Sequence, residues 1–286
     1  MLKPPGREFE RPPAAWTREW ELARDRPAAI AEGTTETDGH FASVGGAFLR
    51  IQTLGGLSIR ADNGEDLARD LMRRPKLAFM WMLLLAGALD GRESWNRSVL
   101  ADELYPGHTQ GLANLRGRLR DFSDNVPSQI SVMIRVEPDR VHLDLTNSSI
   151  DLIRARSLLG ELRSYDKLLP DDLLKSAVAL LEEGQGEFLP EWDILEAQLM
   201  QRRVGATDII ENVRREAESL RIELLLTVGE AFIARGDPSR SIPFFEEANN
   251  RRPDLEPVAL RFVEALRKTG QPLRAKQVAS EYGFPA

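Results

Sequence analysis

A short stretch near the C-terminus recurs after 34 residues. Gly236-Asp237-Pro238-Ser239-Arg240 returns as Gly270-Gln271-Pro272-Leu273-Arg274, and upstream Leu226, Glu230 and Ala231 match Leu260, Glu264 and Ala265 at the same offset. Glycine ends one helix and proline opens the next, where its missing N–H costs nothing. A repeat of this kind is one supersecondary unit that cannot bury its apolar face alone, so neighbouring units must stack. The helical pattern reaches back to Ile150. Residues 148–286 are therefore expected to form an all-α array, an architecture that presents concave binding surfaces and rarely carries out chemistry.

The remaining length is enough for a second domain, since the chain has 286 residues. It contains no cysteine, which excludes disulfides, thiolate zinc sites, Fe–S clusters and cysteine nucleophiles together. Its histidines, His40, His108 and His142, are scattered and form no HExxH. No metal and no cofactor is expected. The most apolar run, Leu77–Leu89, is thirteen residues long. A bilayer needs about 20, so a buried core helix is the better reading and no membrane partner is expected. The N-terminus has no apolar signal region, and with the absence of cysteine this fits a cytoplasmic protein. Residues 1–45 form a partly disordered extension broken by Pro4, Pro5, Pro12 and Pro13. A short helix over Thr17–Asp25 would bring Trp16 and Trp20 onto one face, to dock on the body of the protein or to meet a partner.

Residues 46–147 alternate between strand and helix signals. Ala47–Gly55 and Leu57–Ala61 read as short strands, with a turn at Asn63-Gly64. Three helices follow. The first is Pro75–Leu89. The second, Asn96–Tyr105, carries Val99, Leu100 and Leu104 and is stopped by Pro106-Gly107. Thr109 can cap the third, which runs to about Phe122 with Leu112, Leu115, Leu119 and Phe122 on one stripe. Ile130–Val136 and Val141–Leu145 then read as strands joined by a turn over Glu137–Arg140.

Motifs for catalysis are wanting. Gly107-His108-Thr109-Gln110-Gly111 has the outline of a nucleophile elbow, but a helix precedes it where a strand is needed. The pairs Asp171-Asp172 and Glu182-Glu183 are adjacent on helices and do not face each other. With no phosphate-binding glycine loop, no enzyme is expected. The third helix is different. Arg116, Arg118 and Arg120 lie between its apolar positions, and Arg118 is expected to point to solvent. Three such arginines suit phosphate clamping and guanine readout. A solvated basic face has the same spacing. Gly117, inside this helix, costs about 1 kcal/mol against alanine.

The order of these elements resembles the OmpR-type winged helix, and residues 48–286 resemble the SARP class of bacterial transcriptional regulators. The likeness is carried by Leu49-Arg50-Ile51-Gln52-Thr53-Leu54-Gly55-Gly56-Leu57-Ser58-Ile59, by Arg74-Pro75-Lys76 before the Leu-rich helix, and by Trp95-Asn96-Arg97-Ser98-Val99-Leu100 running to Leu104-Tyr105-Pro106. Ala113-Asn114-Leu115-Arg116-Gly117-Arg118-Leu119 resembles the recognition helix, and Gly186-Glu187-Phe188-Leu189-Pro190-Glu191-Trp192 the start of a bacterial transcriptional activator domain. The 34-residue offset is the tetratricopeptide period.

The resemblance implies an α+β winged helix-turn-helix over 46–147, followed by an all-α tetratricopeptide-like helical repeat domain over 148–286. It implies double-stranded DNA as a partner, with copies side by side on direct repeats, and RNA polymerase, another copy or an effector on the helical half. Arg116, Arg118 and Arg120 would enter the major groove, with Thr109 at the head of the same helix. Arg97 would hold phosphate, and Arg135 and Arg140 would lie in the wing. Two features depart from the family: Asp121 and Asp124 follow the arginines, and Glu137 and Asp139 occupy the wing tip. They keep open a second reading, an interaction adaptor whose winged helix no longer binds DNA. The stretch from Trp192 to Gly236 is longer than usual, so an extra helix is expected near Gly205–Leu220. No ATPase module follows residue 286, which suggests a small stand-alone regulator.

The net charge of −7 is uneven. Residues 46–147 hold 13 basic and 13 acidic residues, whereas 148–286 hold 19 and 24. A neutral DNA reader has to rely on a few placed arginines, with a modest nonspecific contribution.

Overall fold

The computed structural model describes residues 48–165, 168–199 and 204–284. Trp16, Trp20 and the rest of the N-terminal extension lie outside them. A small β-containing region leads into a long run of helices, an order that fits a winged helix followed by a helical domain.

β1 (Leu49–Gln52) and β2 (Ser58–Ala61) pair antiparallel, with Leu49 opposite Ala61 and Ile51 opposite Ile59. Strand alternation sends Leu49 and Ile51 inward and Arg50 to solvent. α1 (Ala68–Met72) and α2 (Pro75–Leu89) follow. α2 is the apolar run, opened by Pro75, and twelve of its residues are buried. A helix apolar all round must be covered on every side. Gly87 makes room for part of that cover, since a methyl group there would lie 2.6 Å from Trp95 Nε1.

β3 (Trp95–Asn96), α3 (Arg97–Leu104) and α4 (Gly111–Asn125) come next. The strand expected from Ile130 begins only at Ile134. Pro127 instead starts a helical turn, α5 (Ser128–Ser131), whose Ile130 and Ser131 amides donate to the Pro127 carbonyl at 2.9 Å. That turn buries Ile130 completely. The hairpin is β4 (Ile134–Val136) and β5 (Arg140–Leu143), and the sheet order is β3-β5-β4. β6 (Ser148–Ile150) returns parallel to β1, giving the order β2-β1-β6.

The helical region holds α6 (Asp151–Arg163), α7 (Asp171–Glu183), α8 (Glu191–Gln198) and α9 (Val204–Ala234), then α10 (Pro238–Arg251), α11 (Glu256–Lys268) and α12 (Pro272–Glu281). The helix expected near Gly205–Leu220 is the first half of α9. It runs unbroken through the repeat's first helix, 31 residues in all, or about 46 Å at the usual rise. The repeated pentapeptide is a repeated turn. Gly236 and Gly270 have φ of +77° and +72°, a region that glycine enters without strain. The amides of Asp237 and Gln271 donate to the carbonyls of Phe232 and Leu266 at 3.0 and 2.9 Å, and Pro238 and Pro272 open the next helices. The repeat is less faithful in burial. Leu226 is half-buried, whereas Leu260 is exposed.

The first hydrophobic core crosses residue 147. It joins β1, β2, α2, α3 and α4 to Phe188, Leu189, Trp192 and Leu195, and to Ile209, Ile210, Val213 and Ala217 of α9. Phe79 of α2 stacks on Trp192 at 4.1 Å between ring centroids. Backbone bonds reinforce this junction. The Gly55 amide donates to the Glu187 carbonyl and the Leu189 amide to the Thr53 carbonyl, each at 2.8 Å. The crossing is too close for side chains, since a methyl group on Gly55 would meet the Gln185 carbonyl oxygen at 2.3 Å.

Further along, Arg221 is almost fully buried on α9. It donates to the Leu181 carbonyl at 3.1 Å and to the Gly184 carbonyl, and pairs with Glu247 of α10 at 2.6 Å. The carbonyls ending α7 thus find donors on α9. Arg221→Ala is expected to cost about 2–3 kcal/mol by stranding them, read as a lower urea midpoint.

Candidate nucleic-acid interface

α3, the turn after it and α4 form a helix–turn–helix whose positions follow from local chemistry. The Asn96 side-chain oxygen caps α3, accepting from the Ser98 amide at 2.9 Å. α3 buries Leu100, Ala101 and Leu104. Gly107, at φ +75°, turns the chain. Thr109 does not cap the next helix. It sits exposed in the turn, where the Gly111 amide donates to the His108 carbonyl at 3.0 Å, and α4 begins at Gly111.

α4 buries Gly111, Leu115, Leu119 and Phe122. Leu112, expected in this stripe, is instead 46% exposed. Gly111 takes the inward place against Ala101. At 100° per residue, the point opposite Leu115 and Leu119 falls on Gly117, while Arg116 and Arg118 lie about 80° from them on opposite flanks. Arg118 does not point freely to solvent, because Tyr105 lies on its flank. It is half-buried, with its guanidinium 5.8 Å from the Tyr105 ring centroid. Arg116 and Arg120 are exposed and make no ion pair or hydrogen bond with any described residue. Asn114 is exposed beside them, and Asp121 and Asp124 follow one turn later.

The other three arginines are already engaged. Arg97 holds the wing: its amide donates to the Asp139 carbonyl at 2.9 Å and its guanidinium to the Pro138 carbonyl at 3.1 Å. Arg140 donates to Ser94 Oγ at 3.2 Å. Arg135 pairs with Asp144. Hydrogen bonds from the Thr146 hydroxyl and amide, with Arg135 adding its charge, hold the Asp144 carboxyl below the usual carboxylate range despite its partial burial. At neutral pH the pair is therefore fully charged. Glu137 and Asp139 are exposed at the wing tip, and Glu137 lies 3.9 Å from His142 Nδ1.

The structure thus keeps Thr109, Arg116, Arg118 and Arg120 on one helix and the turn leading into it, with Arg116 and Arg120 available. It turns Arg97, Arg135 and Arg140 into supports of the wing. Leu112 and Asn114 are exposed on the same helix and do not stand out in the sequence as contact residues. The signal for Leu112 is its place at the edge of the apolar stripe, next to a glycine that can replace it. Among the described residues no group of acidic or histidine side chains could hold a metal, and no helix is long and apolar enough to cross a membrane.

No protein-family model matches the chain, and no curated protein matches it in sequence. Among solved structures, it is similar in fold to Mycobacterium tuberculosis EmbR, determined in complex with a low-affinity phosphopeptide, with a TM-score of 0.57 and 17% identity. The match covers 82% of this chain and 59% of that one, so the chain spans about three-fifths of the length of EmbR.

Proposed function

We propose that the chain is a SARP-type regulator that binds double-stranded DNA sequence-specifically and controls transcription. In this reading an OmpR-type winged helix over 46–147 reads the DNA. The tetratricopeptide-like helices over 148–286 meet protein partners, among them RNA polymerase or a second copy on direct-repeat sites, in the cytoplasm. The observation that carries the reading is the pair of exposed, unpaired arginines, Arg116 and Arg120, on the outward face of the second helix of a helix–turn–helix. Such a second helix lies in the major groove, where its outward side chains meet base edges and phosphates. The likeness to EmbR supports this type of regulator at the level of fold.

A second reading is a protein adaptor without DNA binding. It is favoured by the exposed Glu137 and Asp139 at the wing tip, where phosphate would be repelled.

The experiment is selection of duplexes from a random pool by the full chain, followed by affinity measurement against salt. A selected sequence is expected to bind with a clear loss of affinity as salt rises. Arg116→Ala with Arg120→Ala is expected to weaken it by roughly 30-fold or more, at about 1–3 kcal/mol for each bidentate base contact. Weak binding, equal on every sequence and unchanged in the variant, rejects the regulator and leaves the adaptor.

A further inference from the structure

Gly117 has no reason within the fold to be glycine. It lies inside α4 with right-handed backbone, and a methyl group built on it meets nothing within 4 Å. The other helical glycines of the winged-helix region are explained by their neighbours. A methyl group on Gly87 would lie 2.6 Å from the Trp95 ring, and one on Gly111 would pack on Ala101. Gly117 instead stands at the outward pole of the helix, opposite Leu115 and Leu119. Helix interiors disfavour glycine, so the position carries a stability cost with no gain inside the molecule.

Gly160 of α6 is equally open, so openness alone selects nothing. The surroundings separate the two. Around Gly160, the arginines of α6 are committed: Arg156 to Glu216 at 2.7 Å and Arg163 to Glu223 at 2.6 Å. Around Gly117 stand Arg116 and Arg120 without partners, and the exposed amide of Asn114. These are the side chains suited to guanine and adenine edges.

We propose that Gly117 is the point of closest approach between α4 and duplex DNA, its missing side chain letting the helix backbone sit against a base-pair edge in the major groove while Arg116 and Arg120 reach down on one flank and Asn114 on the other. The inference deepens the DNA-binding reading and rests on it. Gly117 acts as a positioning residue. A methyl group there lifts the helix out of the groove and lengthens every base contact its neighbours make, while contacts to phosphate adapt. Specific binding suffers and nonspecific binding does not.

The test compares full chains carrying Gly117→Ala and Gly160→Ala with the unaltered protein, using a duplex that the unaltered protein selects from a random pool and an unrelated duplex of equal length. Both variants are expected to melt about 2 °C higher, because alanine favours the helix. Gly117→Ala is expected to bind the selected duplex at least tenfold more weakly, with unchanged affinity for the unrelated one. Gly160→Ala binds both as before. A Gly117→Ala protein that binds the selected duplex normally overturns the inference while Arg116→Ala still tests the DNA reading. Lower thermal stability in Gly117→Ala also overturns it, by revealing a need within the fold. Should no duplex be selected at all, the DNA reading falls and the inference falls with it.

Discussion

A chain spanning 46–147 is expected not to fold on its own. The cut removes β6, which pairs with β1 at Leu49, Arg50 and Ile51. It also uncovers α2, whose Phe79 stacks on Trp192 and whose core includes Phe188, Leu189, Leu195 and four aliphatic residues of α9. Each large apolar side chain buried there contributes roughly 1.5–3 kcal/mol. Losing half a dozen of them removes about as much as a typical domain's whole stability of 5–15 kcal/mol. A chain spanning 46–236 keeps the first core cluster complete and is expected to retain a cooperative fold with a lower melting temperature. Circular dichroism through a thermal ramp separates the cases. A sigmoidal transition in the 46–147 chain, with native tryptophan signals, would show that the later helices add little to this core.

The same junction explains what can and cannot be read from residues alone. The apolar helix Pro75–Leu89 is legible because its length is too short for a membrane and its composition leaves no exposed face. The turns at Gly236 and Gly270 are legible because glycine and proline act locally, through φ and a missing donor. The short helix at Ser128–Ser131 is not. Ile130 and the Val and Ile residues after it suit a strand by propensity, and the bonds from Ile130 and Ser131 to the Pro127 carbonyl with the burial of Ile130 decide otherwise. Nor is the unbroken length of α9, because helical periodicity over 204–234 does not reveal whether one helix or two carry it.

The candidate interface divides in the same way. The place of Arg120 away from the apolar stripe follows from helical spacing around Leu115 and Leu119. The spacing puts Arg116 and Arg118 at equal angles on opposite flanks, and only Tyr105, just past the end of α3, makes one half-buried and leaves the other exposed. The family resemblance implies that Arg97 holds phosphate, whereas its guanidinium is bound to the wing turn 40 residues away. Tertiary partners of this kind leave no periodic trace.

Asp151→Ala is expected to destabilise the protein by about 3–5 kcal/mol. Its carboxylate is 6% exposed and gathers four hydrogen bonds at the place where β1 leaves the sheet and α6 begins. One oxygen accepts from the amides of Thr53 and Leu54, each at 2.8 Å. The other accepts from the Thr53 hydroxyl at 2.6 Å and the Leu152 amide at 2.8 Å. Its charge also lies at the first turn of α6, where the helix dipole favours an anion. Alanine leaves three amides and a hydroxyl buried without acceptors, at about 1–3 kcal/mol each, partly relieved by entry of water. An asparagine side chain retains one accepting oxygen but turns an NH2 toward donors, so Asp151→Asn should fall between the alanine variant and the unaltered protein. Thr53→Val removes only the hydroxyl bond and should cost about 1 kcal/mol. Because both changes act on one cluster, the double variant Asp151→Ala with Thr53→Val should be less unstable than the two single losses added together. Urea denaturation of the full chain measures all four. Equal midpoints for Asp151→Ala and the unaltered protein would mean that the carboxylate's bonds only replace its lost hydration, and that the junction is held by Trp192 and the apolar contacts alone.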